Sequence, residues 1–254
     1  MALLRCDFFS DALRLSTSMQ VVLPQPVYSQ IGMGGSGGDE PPPVLYLLHG
    51  LSDDCTTWTR RTSIERYASE LGLAVVMPQV ARSFYLDGAH TGAYWEFLSA
   101  ELPTVVQRFF RVSHAREDTF VAGLSMGGYG ALLSGLRQPE RFAAAASLSG
   151  ALDAAELQRE DALDVFSHVT DAPLGGTSAD LFALLDSVEP ATAPQLYVRC
   201  GTEDGLVDSN RRFATAARER GLDVTDGFDP GAHTWDYWDR TVQDVLAWLP
   251  LRTR

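Results

Sequence analysis

A chain of 254 residues that is 45% hydrophobic carries enough apolar side chain for one large core, the upper size of a single domain. Its net charge of −13 repels phosphate backbones and argues against a nucleic-acid partner. All 20 basic residues are arginine, which excludes a P-loop NTPase, a Schiff-base enzyme and a Ser-Lys hydrolase together, since each needs an amine that arginine cannot supply.

The first residues, "MALLRCDFFSDALRL", have neither a basic stretch nor an unbroken apolar run. No later segment nears the ~20 apolar residues that cross a bilayer, so a soluble, cytoplasmic protein with no membrane association is expected. Within the first thirty residues, apolar Leu15, Met19, Val21 and Leu23 alternate with polar positions and predict one or two antiparallel strands. The segment 32–43, "GMGGSGGDEPPP", has almost no apolar side chain and is expected to be a flexible surface loop.

Beyond it, short apolar runs alternate with helical patterns. The runs are "VLYLL" (44–48), "LAVVMP" (73–78), "TFVAG" (119–123), "AAAASLS" (143–149) and "QLYVRC" (195–200), each expected to be a strand buried on both faces. Helices are expected near 62–71, 96–110, 126–137, 209–220 and 239–249. This order predicts an α/β fold over 1–254, a mostly parallel central sheet with helices on both faces. The acidic, Leu-rich segment 151–190 interrupts the rhythm and is expected to be a small helical cap inserted in the domain.

Gly-x-Ser-x-Gly occurs twice, around Ser36 in "GGSGG" and around Ser125 in "AGLSMGG". Ser36 lies in the Gly-rich loop, whereas Ser125 follows a strand and precedes a helix. That corner is what a nucleophile elbow requires, because the sharp turn lifts the hydroxyl above the sheet. Gly123 and Gly127 stand where a Cβ would crowd the turn, and Gly128 and Gly130 are expected to let the helix approach the strand.

Of the five histidines, only His168 and His233 follow Ser125. His233, in "DPGAHTWDYWD", comes after a strand and loop that carry an acid, the Ser–acid–His order of an α/β-hydrolase, so it is the expected base. The acid is sought in "CGTEDGLVD", where Asp204 is favoured by its distance from the strand end over Asp208 and Glu203; it would hold the imidazole tautomer. The oxyanion donors expected are the backbone N–H groups of Met126 and of Leu51, with His49-Gly50 as scaffold of the second. Trp58, Phe84, Tyr85 and Trp95 lie in or near loops and are the candidates for the walls of an acyl pocket, with core packing the expected role of any single one. Cys6, Cys55 and Cys200 are too far apart for a metal knuckle and are expected to be buried small hydrophobes; no metal motif and no cofactor site is seen.

The motifs "LLHGLSDDCTTWTRRTSIERYA", "AGLSMGGYGAL", "CGTEDGLVDSN" and "PGAHTWDYWD", in this order, resemble the Putative esterase (esterase D-like) family of α/β-hydrolases, within it the tributyrin esterase and acetyl esterase branch. The resemblance implies Ser125, Asp204 and His233 as a triad, Leu51 and Met126 as oxyanion donors, no cofactor, and hydrolysis of short-chain acyl esters, acetyl to butyryl. S-formylglutathione hydrolases of the same family usually carry a cysteine close behind the His-Gly turn and a His in "SMGGHG". Here Cys55 is farther along and position 129 is Tyr. The alternatives are that thioesterase activity and, in another class, a non-catalytic binding protein on a hydrolase scaffold. The expected partner is a small ester; a homo-oligomer is compatible with the sequence, which specifies none.

Overall fold

The computed structural model describes residues 1–29, 31–32, 34–160 and 165–252. Residue 33 of the Gly-rich loop and residues 161–164 of the insertion lie outside the described residues. A single eight-stranded sheet forms the centre, built from β1 (Ala2–Ser10), β2 (Leu15–Leu23), β3 (Val44–Leu48), β4 (Ala74–Pro78), β5 (Thr119–Leu124), β6 (Ala144–Leu148), β7 (Gln195–Gly201) and β8 (Val224–Asp229). The strands lie in the order β1-β2-β4-β3-β5-β6-β7-β8. β1, β2 and β4 pair antiparallel in turn, and every pairing from β4 to β8 is parallel. The α/β-hydrolase expectation of a mostly parallel sheet with antiparallel N-terminal strands describes this arrangement.

The apolar runs become β3 to β7 because helices cover both faces, so neither face needs many polar residues. In β3, Val44, Tyr46 and Leu48 enter one core cluster while Leu45 and Leu47 enter the other. The first cluster takes side chains from α2 (Leu102–Phe109), α3 (Met126–Arg137) and α4 (Val207–Glu219); the second takes Ile64 and Ala68 of α1 (Ile64–Leu71) with Val242 and Val245 of α5 (Trp235–Trp248).

Two differences from the expectations have clear causes. β8, "VTDGFD", has no apolar run because it is the outer strand and none of its residues is fully buried, so no burial pattern marks it. The helix expected at 96–110 starts at Tyr94 and passes through a π-helical turn, Phe97–Glu101, before α2. Pro103 cannot donate to the carbonyl of Ser99, which instead accepts from Gln138 Nε2 at 3.2 Å.

The insertion supplies short helices at Ala154–Arg159, Phe166–Val169 and Leu181–Leu185. Tyr129 of α3 ties it down, its buried hydroxyl donating to Ala179 O at 2.6 Å, and Phe166 packs on Phe84 with ring centroids 4.5 Å apart. Among the described residues, no helix is long and apolar enough to cross a membrane.

Candidate active site

Ser125 sits between β5 and α3 with φ 53° and ψ −117°, a conformation costly for any residue with a Cβ. The elbow is held from three sides: Ser125 N–H donates to Leu148 O at 2.9 Å, and Ser125 O accepts from the N–H groups of Tyr129 (3.1 Å) and Ala151 (3.0 Å). A Cβ at Gly127 would lie 2.4 Å from Leu48 O and 2.7 Å from His49 O, so any larger residue there would push the elbow off the end of β3. Gly130 does not face a strand as expected; its missing Cβ leaves room for the Tyr85 ring, 2.5 Å from where that atom would stand.

His233 Nε2 lies 3.0 Å from Ser125 Oγ, and His233 Nδ1 lies 2.8 Å from Asp204 Oδ2. An ionised carboxylate only accepts, so Nδ1 carries the proton and Nε2 is left to accept from the serine hydroxyl. Asp204 is 3% exposed. Burial pushes its carboxyl up, but the bonds from His233 and from the Leu206 N–H (2.9 Å) outweigh that and hold it below the ordinary carboxylate value. Asp208 is absent from this chain of bonds: it is exposed on the first turn of α4 and pairs with Arg211. Glu203 accepts from the Gly231 N–H and its own N–H donates to Gly231 O at 3.0 Å, binding the loop that carries Asp204 to the loop that carries His233.

The turn after β3 is built on a buried histidine. His49 Nδ1 donates to Gly50 O at 2.7 Å while Nε2 accepts the Val80 N–H at 3.1 Å. Both bonds need a neutral ring, and burial lowers its basicity accordingly. Tyr85 adds a hydroxyl bond to His49 O at 2.8 Å. Asp53 closes the turn by accepting from the Gly50 N–H at 3.2 Å. Leu51 and Met126 face the same cavity, and among the described residues neither N–H donates to a protein acceptor. Two unpaired donors beside a serine hydroxyl are what a developing oxyanion needs.

The cavity over Ser125 measures about 650 Å³, with apolar walls from Phe84, Leu157, Leu206, Trp235 and Trp238. A larger open groove of about 970 Å³ follows residues 107–115, where β5 and β3 begin, and contains none of Ser125, Asp204 and His233. Of the four aromatic candidates for the pocket, only Phe84 lines the cavity. Trp58 is buried one layer below, its Nε1 donating to Leu48 O at 3.1 Å and its ring edge-on to Trp235. Tyr85 is spent on His49 O, and Trp95 stacks under the Arg137 guanidinium at 3.9 Å. These three are core and surface packing residues, since their polar or flat faces are already taken. Trp235 and Trp238 were missed although "HTWDYWD" places them two and five residues after His233, facing the loop from the first turn of α5. Trp238 meets the His233 ring edge-on at 4.8 Å.

The remaining histidines stand apart: His90 faces Asp171 at 3.7 Å, His114 lines the distant groove, and His168 belongs to the helix Phe166–Val169. Ser36 is held on the C-terminal turn of α1, where its N–H donates to Ser69 O at 3.0 Å and its hydroxyl to Glu70 O at 2.8 Å. Cys55 and Cys200 are buried as expected, whereas Cys6 is only half-buried. Among the described residues, no group of three His, Cys, Asp or Glu could hold a metal ion.

The family described as "Putative esterase" matches residues 10–249. An acetyl esterase of Caldicellulosiruptor saccharolyticus is 29% identical, with 98% of each chain covered. Among solved structures, fluorophosphonate-binding serine hydrolase F of Staphylococcus aureus superposes with a TM-score of 0.86 at 31% identity, covering 98% of both chains. An S-formylglutathione hydrolase of the same organism gives a TM-score of 0.84 at 32% identity and the same coverage.

Proposed function

The chain belongs to the Putative esterase family and is a carboxylic ester hydrolase, and from that premise we propose that it cleaves small, uncharged, short-chain acyl esters through an acyl-enzyme on Ser125. The observation that carries the reading is the unbroken chain Ser125 Oγ, His233, Asp204 opening into an apolar cavity.

In this mechanism His233 Nε2 takes the hydroxyl proton as Ser125 Oγ attacks the carbonyl carbon. Asp204 stabilises the imidazolium through Nδ1–H, and the N–H groups of Leu51 and Met126 hold the oxyanion. Collapse of the tetrahedral intermediate breaks the bond to the alcohol oxygen, which receives the proton from His233. Water then repeats the sequence on the acyl-enzyme and frees the acid.

Support for an uncharged acyl group comes from the lining. Among the described residues around the cavity there is no arginine, and its charged side chains are Asp53 and Asp204. The acetyl esterase relative supports an acetyl group as one such acyl chain. A second reading, hydrolysis of a glutathione thioester, draws on the S-formylglutathione hydrolase at 32% identity; the anionic tripeptide would meet Asp53, and no arginine is among the described residues that line the cavity.

Ser125→Ala should abolish turnover of p-nitrophenyl acetate while circular dichroism and thermal unfolding remain those of the parent. Retained turnover in the folded variant would overturn the assignment. A series from acetyl to decanoyl p-nitrophenyl esters, run beside S-formylglutathione, separates the two substrate readings.

A further inference from the structure

β1 ends the central sheet. One of its edges pairs with β2 along all nine residues, and along the other no described residue makes a backbone hydrogen bond to it. An open edge of that length is a template for another strand. The side chains it shows to solvent are Leu3, 44% exposed, Arg5, Asp7, and Phe9, 61% exposed. Cys6 stands at the midpoint of the strand.

We propose that β1 is a homodimer interface, in which β1 of two copies pair antiparallel about a two-fold axis at Cys6 and join the two sheets into one. A two-fold axis perpendicular to the sheet keeps each residue on its own face, so only residues of equal parity can stand opposite one another. Centred on Cys6, this register sets Leu3 opposite Phe9, Arg5 opposite Asp7, Leu4 opposite Phe8 and Cys6 opposite Cys6. Apolar meets apolar and each charge meets its opposite, twice by symmetry. Centring on Arg5 would put Arg5 against Arg5, and centring on Asp7 would put Asp7 against Asp7. Centring on Leu4 or Phe8 would instead set a charge opposite Leu3 or Phe9, so of these registers only the one centred on Cys6 matches both charges and apolar side chains. The ion pair that Arg5 makes with Asp7 within its own strand, at 3.2 Å and largely solvated, holds both side chains on the face where the second copy would meet them.

The Cys6 pair makes the register measurable. Directly opposite strand residues lie within the Cα range of about 4.4–6.8 Å that a disulfide spans. Copper(II)-phenanthroline with dioxygen removes two electrons and two protons from two such thiols and joins them as a disulfide. The expected results on the full chain are a mass of about 55 kDa by light scattering, twice 27.7 kDa, and a cross-linked dimer that Cys6→Ser removes and Cys200→Ser keeps. Asp7→Arg should weaken association at least tenfold, and the double variant Arg5→Asp/Asp7→Arg should restore it. Esterase activity and the unfolding temperature report that each variant is folded. If Asp7→Arg does not fold, cross-linking of the parent chain still decides. A monomer at all concentrations up to ~100 µM, an assembly larger than a dimer, or a dimer that neither links through Cys6 nor weakens in folded Asp7→Arg would overturn the proposal.

Discussion

Glu203 and Gly231 exchange two hydrogen bonds, the Gly231 N–H donating to the Glu203 carboxylate and the Glu203 N–H donating to Gly231 O. These bonds join the turn after β7 to the turn after β8, one residue before Asp204 and two before His233. A side chain that touches neither the serine nor the cavity thus sets the spacing of Asp204 and His233. The Gly231 N–H, and after it the Thr202 hydroxyl, hold the Glu203 carboxyl below its usual range.

Glu203→Ala should therefore lower kcat on p-nitrophenyl butyrate by on the order of tenfold with little change in KM, because misplacing catalytic groups by a fraction of an ångström is costly. The same residue predicts a pH dependence. With its folded value depressed, its stabilising contribution is present above the unfolded carboxyl value of about 4.3 and is lost as pH falls through the lower folded value. The difference in unfolding temperature between the parent and Glu203→Ala should be steady near pH 7 and shrink below about pH 4.3. A difference that grows with acid would contradict the role given to this carboxylate.

Asp53 closes the turn that presents the Leu51 N–H, and it is also a negative charge beside the cavity. Asp53→Asn keeps an oxygen for the Gly50 N–H and removes the charge. One unit charge at ~10 Å across an effective dielectric of about 20 is worth ~1.7 kcal/mol. Selectivity should therefore move toward anionic substrates by on the order of tenfold, read as the ratio of kcat/KM for S-formylglutathione and for p-nitrophenyl acetate. An unchanged ratio would mean that Asp53 acts only on the turn.

Trp238 is 5% exposed and backs the His233 ring, with Trp235 and then Trp58 stacked edge-on behind it at 5.3 Å and 5.2 Å. Trp238→Ala removes the wall behind the imidazole and should cost about 3–5 kcal/mol in denaturant unfolding, as buried Trp truncations do. Trp238→Phe keeps an aromatic edge against His233 and should retain most of kcat. Equal kcat for folded Ala and Phe variants would show that the ring does not position His233.

Much of this site is legible in the chain because its signals are local. A strand, a Gly-flanked serine and a helix are contiguous, and the elbow they make depends on only five or six residues, so local pattern alone separates Ser125 from Ser36. The order Ser, Asp, His and the apolar runs of β3 to β7 are likewise readable. The pocket walls are not: Phe84, Leu157, Leu206 and Trp238 come from four distant segments, and whether an aromatic ring lines a cavity or packs beneath it depends on what else claims its face. Trp58, Tyr85 and Trp95 have their faces claimed by Leu48 O, His49 O and Arg137.

By itself, then, the sequence determined the α/β class, the elbow and the three residues to be brought together, because burial period and turn chemistry are written within short windows of chain. The tertiary structure decided their meeting. Ser125 and His233 are 108 residues apart and His233 and Asp204 are 29 apart, yet β5, β7 and β8 run parallel, so their C-terminal ends open on one side of the sheet. Which rings wall the cavity, which carboxylate joins the two loops and which strand is left at the edge all follow from that packing, and no local pattern carries them.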